Sequence, residues 1–228
     1  MDRTRLMENW LAQCLAGQHV ALAPASADAS FRRYFRATLA DGSTRIVMDA
    51  PPSHEDCRPY LHVARLFHDA GAHVPEIHAE NLAEGFLLLS DLGSTTFLAH
   101  LESDPSEARA TPLYLDAIDA LIRIQQASRP GVLPEYDRER LLRELELFPV
   151  WYVDKHLGHA LTEAEAADLY AVFDRILDAN LAEPQVFVHR DFHSRNLMVS
   201  TPNPGVLDFQ DAVYGPITYD LVSLFKDA

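Results

Sequence analysis

Three polar side chains near the C-terminal end of the sequence could carry out chemistry together: Asp191, Asn196 and Asp208. The first two lie in the segment H-R-D-F-H-S-R-N, and the third lies in G-V-L-D-F. An aspartate in the first position can receive or orient an acceptor hydroxyl, and the Asn and second Asp supply oxygen ligands that hold Mg²⁺ on a triphosphate. The pattern H-x-D-x-x-x-x-N followed by D-F therefore indicates a phosphoryl-transfer site.

A hydrophobic hairpin is predicted between Asn196 and Asp208. Residues 185–188 are a β-prone run that delivers the loop, and residues 197–199 and 205–207 read as two strands joined by the proline-containing turn 200–204. A hairpin brings its two ends together. We therefore expect Asn196 and Asp208 to meet at one end of the sheet, where they can share a metal ion.

The remaining sequence predicts an α+β chain with a two-lobed arrangement. Apolar periodicity predicts these elements: helices at 3–16, 55–70, 94–102, 106–128, 137–148 and 162–181, and strands at 19–22, 31–39, 44–48, 74–77 and 85–89. Asp41-Gly42 signals a hairpin turn, Gly71 a helix end, and Thr162 with Glu165 a capping box. We expect a β-rich, nucleotide-binding N-lobe with one long helix at 1–90 and a helical C-lobe at 91–228 that carries the catalytic loop and the metal hairpin.

The last ten residues, 219–228, are expected to begin a helix with an apolar face. The segment has no stop signal, so we expect a longer gene product, with an apolar patch exposed when the chain ends here. Asp220 could cap this helix or brace the catalytic loop, and its position at the helix start favours capping alone.

Composition excludes several classes of function. The 228 residues carry a net charge of −15, which disfavours nucleic-acid binding and an acidic membrane surface. Two cysteines and the absence of a signal-peptide core or a membrane-spanning apolar run favour a reducing cytoplasm. The same charge means that a bound nucleotide needs local cations and magnesium. The oligomeric state stays open.

The order of elements and motifs resembles the protein-kinase-like fold, and more narrowly the aminoglycoside phosphotransferase and choline kinase family. The segment from Asp208 to Leu221 is similar to that family's D-x-x-x-A-x-x-G-x-x-x-x-D-L pattern. Residues 29–36 (A-S-F-R-R-Y-F-R), 47–52 (V-M-D-A-P-P), the catalytic loop and 208–212 (D-F-Q-D-A) resemble the bacterial anomeric kinases of N-acetylmuramate and N-acetylglucosamine within it.

The resemblance implies ATP and Mg²⁺ as cofactors and a sugar-like small molecule as acceptor. The expected reaction is phosphorylation of the anomeric hydroxyl of N-acetylmuramate or N-acetylglucosamine in cell-wall sugar recycling. Asp191 matches the catalytic base, and Asn196 and Asp208 match the magnesium ligands. Asp91 and Leu92, with Leu89 beside them, fall at the linker that touches adenine.

Two features depart from the protein-kinase pattern. Strand 45–48 has no Lys where such kinases place the phosphate-pairing Lys, and Arg32 or Arg33 could supply the charge instead. Glu55, without that Lys, is expected to be a solvated charge. No G-x-G-x-x-G occurs, but the small residues 26–30, including Ser30, could let backbone N–H groups approach phosphate.

Other interpretations remain open at this stage. The acceptor could also be an aminoglycoside or another small alcohol. His193, Arg195, Trp151 and Tyr152 are the candidates to contact the acceptor, and the two aromatic residues could stack on a sugar ring or equally pack in the core. A metallohydrolase could use His189, Asp191, His193 and Asp208 as metal ligands. A non-catalytic pseudokinase is the third alternative. His189 itself is expected to brace the catalytic loop by hydrogen bonding.

Overall fold

The computed structural model describes residues 2–16, 20–27 and 31–227. Contacts divide the chain into two compact units, one of Met1–Ala120 with Ser194–Asp211 and the other of Leu121–His193 with Ala212–Ala228. The expected division into lobes at 1–90 and 91–228 places residues 91–120 and 194–211 differently, and it stays a prediction.

Both units contain helices and strands. The helices are α1 Arg3–Cys14, α2 Cys57–Asp69, α3 Phe97–Ser103, α4 Glu107–Gln126, α5 Arg138–Leu145, α6 Glu163–Ala182 and α7 Tyr219–Phe225, with a π-helical segment at Phe148–His156. The strands are β1 Ala21–Ala27, β2 Arg33–Thr38, β3 Thr44–Asp49, β4 Ile77–Asn81, β5 Phe86–Ser90, β6 Gln185–Val188, β7 Leu197–Met198, β8 Gly205–Val206 and β9 Val213–Pro216. No helix among the described residues is long and apolar enough to cross a membrane.

The first unit is built on a five-stranded antiparallel sheet in the order β1-β2-β3-β5-β4. Side chains alternate between the two faces of a strand, so each face can be assigned from its neighbours. One face packs against α1 through a cluster of buried residues: Met7, Trp10, Leu11, Ala37, Val47, Phe86 and Leu88. The alternating residues Tyr34, Arg36, Ile46 and Leu89 are therefore left for the opposite face.

Local signals in the sequence placed several boundaries correctly. Gly42 adopts a φ of +83° in the β2–β3 turn, and the Ser43 N–H donates to the Asp41 carboxylate at 2.9 Å. Gly71, at φ +81°, follows the C-terminal end of α2, as expected. The capping box of α6 is present, with Thr162 and Glu165 bonded reciprocally.

The second unit combines α5, α6 and the antiparallel pair β6–β9. Its core is a cluster of buried apolar residues: Tyr136, Leu141, Leu177, Val186, Val188 and Val213. Strand β9 was not predicted, because a four-residue strand containing Gly215 and Pro216 has the composition of a turn.

Three expected elements differ from the structure. β1 begins at Ala21 and continues to Ala27, so two of the five small residues expected to approach phosphate, 26 and 27, are strand, and residues 28–30 lie outside the described ranges. β4 begins at Ile77 rather than 74, beyond Pro75. The aromatic break expected at 148–152 is π-helical. At its C-terminal end the Leu157 N–H donates to the carbonyl of Tyr152, five residues earlier, at 3.0 Å, which is the π-helical spacing.

Candidate active site

A cavity of about 500 Å³ lies in the first unit, on the sheet face opposite α1. Tyr34 and Arg36 of β2, Ile46 of β3 and Leu89 of β5 contribute its sheet wall. The other lining residues come from the segments around the sheet: Ala25, Tyr60, Pro75, Ser90, Asp91, Leu92, Gly93, Ser94, Thr96, Arg195, Asn196, Met198, Leu207 and Asp208. The cavity thus combines apolar walls with a few polar groups, as small-molecule sites do.

The predicted hairpin forms and brings Asn196 and Asp208 together. Leu197 pairs with Val206 and Met198 with Gly205. Beyond the last pair, the Leu207 N–H donates to the Asn196 carbonyl at 2.9 Å, and the Asn196 amide lies 3.5 Å from Asp208 Oδ2. Both side chains line the cavity.

Asp208 has a left-handed backbone, with φ +62°, which an L-residue rarely adopts. Its other carboxylate oxygen, Oδ1, accepts a hydrogen bond from the Gln210 side-chain amide at 2.8 Å. The following residue, Phe209, is fully buried. The centre of its ring lies 4.9 Å from the ring centre of Tyr60 and 5.9 Å from that of Phe67. Phe209 therefore anchors the backbone in the core, and the Gln210 amide orients the Asp208 carboxylate at the cavity wall.

Asp91 forms an ion pair with Arg36 at the cavity. Arg36 Nε lies 2.5 Å from Asp91 Oδ2, and its Nη2 also donates to the Gly93 carbonyl at 2.9 Å. Burial tends to raise the pKa of Asp91, but hydrogen bonds from Arg36 and the Gly93 N–H hold that pKa below its usual value. The pair links the segment after β5 to β2, and Leu89, Asp91 and Leu92 all line the cavity.

The two arginines proposed to replace the kinase lysine point to different faces. Arg33 pairs with Asp49, which is fully buried and also accepts from Arg3 Nε at 2.5 Å. Arg32 pairs with Glu55 at 3.1 Å, with only 14% of each side chain exposed. The expectation that Glu55 is a solvated charge was wrong, because Arg32 supplies the counterion that the missing lysine does not.

Arg32 does not line the cavity itself, but it interacts with Tyr34, which does. Burial tends to lower the pKa of Arg32, but its interactions with Tyr34 and Glu55 outweigh burial, so the pKa is raised. Burial raises the pKa of Tyr60, Asp208 raises it further, and Arg32 acts in the opposite direction. The charges of Arg32 and Asp208 are therefore both felt at the Tyr60 hydroxyl. Ser30 lies outside the described residues.

The loop that carries Asp191 belongs to the second unit. His189 is fully buried, and its Nδ1 accepts the Asp191 N–H at 3.2 Å, so it braces the loop as expected. Asp191 itself is exposed. Arg190, between them, has φ +80°.

Asp220 holds this loop from α7. Its two carboxylate oxygens accept the N–H groups of His189 at 2.7 Å and Arg190 at 3.0 Å. Burial is the main reason that the pKa of Asp220 rises to about 7, and the Asp191 charge adds to it against the two hydrogen bonds. The expectation that Asp220 only caps a helix was wrong: it makes no cap, and it fixes the backbone next to Asp191.

The residues expected to contact the acceptor are not all brought together. Arg195 lines the cavity of the first unit beside Asn196. Trp151 and Tyr152 lie on the π-helical segment with 63% and 50% of their surface exposed, so they are not core residues. The His193 N–H donates to the Asp191 carbonyl at 3.0 Å, and its buried Nδ1 has no hydrogen-bond partner among the described residues.

Sequence reasoning missed Tyr34, Arg36 and Tyr60 of the cavity. The alternation along β2 was the available signal, since Tyr34 and Arg36 share a face while Phe35 and Ala37 pack toward α1. Tyr60 gave no such signal, because on α2 it is one of seven buried residues.

Asn196 and Asp208 fit a magnesium ion that is shared with phosphate. Mg²⁺ is bound in such sites through one or two protein oxygens, water and substrate phosphates rather than by a full protein cage. Within the described ranges no group of three or more His, Cys, Asp or Glu side chains could hold a metal ion. Asn196 and Asp208 supply two oxygen-bearing side chains of the type that such a site uses, and the four-ligand set of the metallohydrolase alternative is not assembled in these ranges.

The fold and the cavity define a protein of the kinase-like α+β class, as predicted. An ADP-bound aminoglycoside phosphotransferase is similar to the whole chain, with a TM-score of 0.68, 15% identity and 77% of that chain covered. A choline kinase from Streptococcus pneumoniae has a TM-score of 0.68 at 13% identity, over 99% of this chain and 74% of its own. At these identities the likeness shows the fold.

The chain belongs to the phosphotransferase enzyme family, which it matches over residues 21–228. The N-acetylmuramate/N-acetylglucosamine kinase of Pseudomonas putida is 52% identical over 91% of this chain and 60% of its own length. The Neisseria meningitidis protein of the same name is 49% identical over 100% of this chain and 68% of its own length. The chain thus spans about two thirds of the length of the relatives that it matches.

Proposed function

We propose that the protein transfers the γ-phosphoryl group of ATP to the anomeric hydroxyl of N-acetylmuramate or N-acetylglucosamine. The observation that carries this proposal is the identity of 49–52%, over nearly the whole chain, to relatives named as kinases of these sugars. The match to the Neisseria meningitidis protein covers the whole chain and so includes the catalytic loop and the hairpin. The two cysteines and the sugar substrates fit a cytoplasmic enzyme of cell-wall sugar recycling.

ATP would bind in the cavity of the first unit, with its adenine against the segment from Leu89 to Leu92. Leu89, Leu92, Ile46, Met198 and Leu207 offer apolar surface there. A planar base buried between such walls loses water without leaving polar protein groups unpaired. The Arg36–Asp91 ion pair keeps this segment in place.

Asn196 and Asp208 would hold Mg²⁺ through their side-chain oxygens. The metal, when bound, neutralises the charge that spreads over the phosphate oxygens in the transition state. The Gln210 amide keeps one Asp208 oxygen oriented, so the carboxylate enters the site with little freedom left to lose.

Arg32 is the better candidate for the cation that offsets the phosphate charge in place of lysine. It precedes Tyr34 and Arg36 at the two-residue spacing of one strand face, and those two residues line the cavity. Arg33 has the opposite orientation and is committed to the buried Asp49. Glu55 would hold Arg32 in place, as a half-buried ion pair constrains a long side chain.

Asp191 would act as the base. The sugar oxygen forms its bond to the γ-phosphorus as the bond from phosphorus to the bridging β–γ oxygen breaks, and the hydroxyl proton passes to the Asp191 carboxylate. Trp151 and Tyr152 offer exposed aromatic faces of the kind that stack on sugar rings, and His193 and Arg195 are the polar candidates for the acceptor.

A panel of acceptors with the purified protein tests the proposal. We expect ATP consumption with N-acetylmuramate and N-acetylglucosamine, and a phosphate signal coupled to the anomeric proton in nuclear magnetic resonance spectra. The matched control is the methyl glycoside of N-acetylglucosamine, whose anomeric oxygen is blocked and which should not react. Equal phosphorylation of the methyl glycoside would exclude the anomeric position, and a preference for choline or an aminoglycoside would replace the sugar.

A further inference from the structure

The segment before Asp191 is held by a closed ring of four side chains in the second unit. Arg190 Nη2 lies 2.6 Å from Glu144 Oε1, and Glu144 Oε2 accepts the Tyr219 hydroxyl at 3.3 Å. The Tyr136 hydroxyl donates to the Tyr219 hydroxyl at 3.3 Å. The ring closes because the Arg190 guanidinium lies over the Tyr136 ring, 5.5 Å from its centre.

The ring is built from elements that are far apart in the sequence. Glu144 belongs to α5 and Tyr219 to α7, whereas Tyr136 precedes α5 and Arg190 follows β6. Tyr136 is almost fully buried, and only about a third of the Arg190 and Glu144 side chains is exposed. An ion pair with this degree of burial and a second hydrogen bond on the carboxylate is less screened than a pair at the open surface.

Arg190 directly precedes Asp191, so the ring acts on the backbone next to the proposed base. Arg190 has φ +80°, a conformation that costs an L-residue energy and that persists only when its surroundings impose it. The Asp220 carboxylate fixes the Arg190 N–H from the backbone side, at 3.0 Å. The ring fixes the side chain of the same residue. Arg190 is therefore held from two directions, and the N–H of the next peptide, which joins Arg190 to Asp191, donates to His189 Nδ1 at 3.2 Å.

We propose that Glu144, acting through Arg190, is a positioning residue for Asp191. Without the Glu144 carboxylate, Arg190 can relax out of its left-handed conformation, and the Asp191 carboxylate then turns with the shared peptide. The cavity assigned to ATP is lined by residues of the first unit only, so nucleotide binding does not depend on the ring. The proposal rests on the role proposed above for Asp191.

Steady-state kinetics of five variants separates positioning from simple stability. Glu144→Ala and Glu144→Gln should lower kcat about 10- to 100-fold while the KM for Mg-ATP changes less than about twofold. Glu139→Ala is the matched control, since Glu139 lies on the same helix, is exposed and pairs only weakly with Arg143 at 3.4 Å; its kcat should be that of the wild type. Arg190→Gly, which tolerates φ +80° without strain, should keep more activity than Arg190→Ala.

Hydrogen exchange provides a second readout that does not need activity. Peptides that cover residues 186–193 should exchange faster in folded Glu144→Ala than in the wild type or in Glu139→Ala. A wild type without sugar kinase activity would overturn the proposed function and leave this exchange test to decide the role of the ring. Unchanged exchange, or a kcat that falls no further in Glu144→Ala than in Glu139→Ala, would show that the ring does not position the loop.

Discussion

Two short segments of the protein each hold an L-residue in a left-handed conformation, and they are stabilised in different ways. Asp208 (φ +62°) ends a hairpin whose paired strands, β7 and β8, are separated by only a few residues. Arg190 (φ +80°) depends on Asp220, 30 residues away, and on Glu144, 46 residues away. The hairpin is mainly a local structure, whereas the catalytic loop is imposed by distant elements of the second unit. We expect the two segments to respond differently to substitution.

The largest effect is expected from the loop. Asp191→Asn should keep nucleotide affinity and lower turnover by about two to four decades, since a positioned acid–base group contributes this much. Turnover and Mg-ATP affinity, the latter by calorimetry, should be measured in the same preparation. A variant with near-normal turnover would remove Asp191 from the role of base and leave the elaborate support of this loop without a catalytic reason.

The hairpin should govern magnesium and nucleotide instead. Asp208→Ala should weaken magnesium-dependent ATP binding by roughly 100-fold, and Asn196→Ala by less, because only the aspartate brings a negative charge to the cation. Titration calorimetry with and without Mg²⁺ checks both variants. If Asp208→Ala bound Mg-ATP as tightly as the wild type, the metal would have to lie elsewhere than at the end of the hairpin.

Asp220 should make the stability of the fold around the loop depend on pH. Its pKa of about 7 in the folded chain exceeds the roughly 3.9 of an unfolded aspartate, so the folded state binds this proton more tightly. This contribution to stability is complete below about pH 4 and is lost as the pH rises through about 7. The free energy of unfolding should fall by up to about 4 kcal/mol from this group over that range.

Urea unfolding of Asp220→Asn across the same pH range isolates this contribution. The variant should be less stable at low pH, where one oxygen acceptor for the loop is lost, and its stability should change less with pH. Asp119→Asn, at an exposed aspartate, is the control and should follow the wild type. Parallel pH curves for the wild type and Asp220→Asn would exclude a raised pKa at Asp220.

The smallest effect is expected at the turn of the hairpin. Asn203 donates to the Asp116 carboxylate at 2.7 Å, the type of distant bond on which the catalytic loop depends. Asn203→Ala should cost about 1 kcal/mol of stability and change Mg-ATP affinity less than about threefold, because β7 and β8 pair without it. A large loss of affinity would mean that the hairpin depends on distant support as much as the loop does.

This contrast also explains which parts of the site the sequence could predict. The α+β class, the hairpin and the meeting of Asn196 with Asp208 follow from patterns that extend over a few residues, such as strand alternation and a proline-containing turn. The bracing role of His189 was predicted for the same reason, since its partner is the N–H of Asp191, two residues away.

Long-range pairing was beyond the same reasoning. Nothing in the sequence near Glu55 indicates that Arg32 is its partner, and nothing near Asp220 indicates the N–H groups of His189 and Arg190. An acidic residue at the start of a helix or before it has a common local explanation, capping or solvation, and that explanation was wrong at both positions. The roles of Asp191, Arg32 and the acceptor residues stay predictions for the experiments above.

Each of the three arginines in the segment F-R-R-Y-F-R forms an ion pair with a carboxylate: Arg32 with Glu55, Arg33 with Asp49 and Arg36 with Asp91. The strand is therefore electrically balanced before any nucleotide arrives, in a chain whose net charge is −15. For the encounter with ATP this means repulsion at long range and attraction only at contact distance. Added salt should shorten the range of that repulsion, so nucleotide association should become faster as ionic strength rises, the reverse of what electrostatic steering produces.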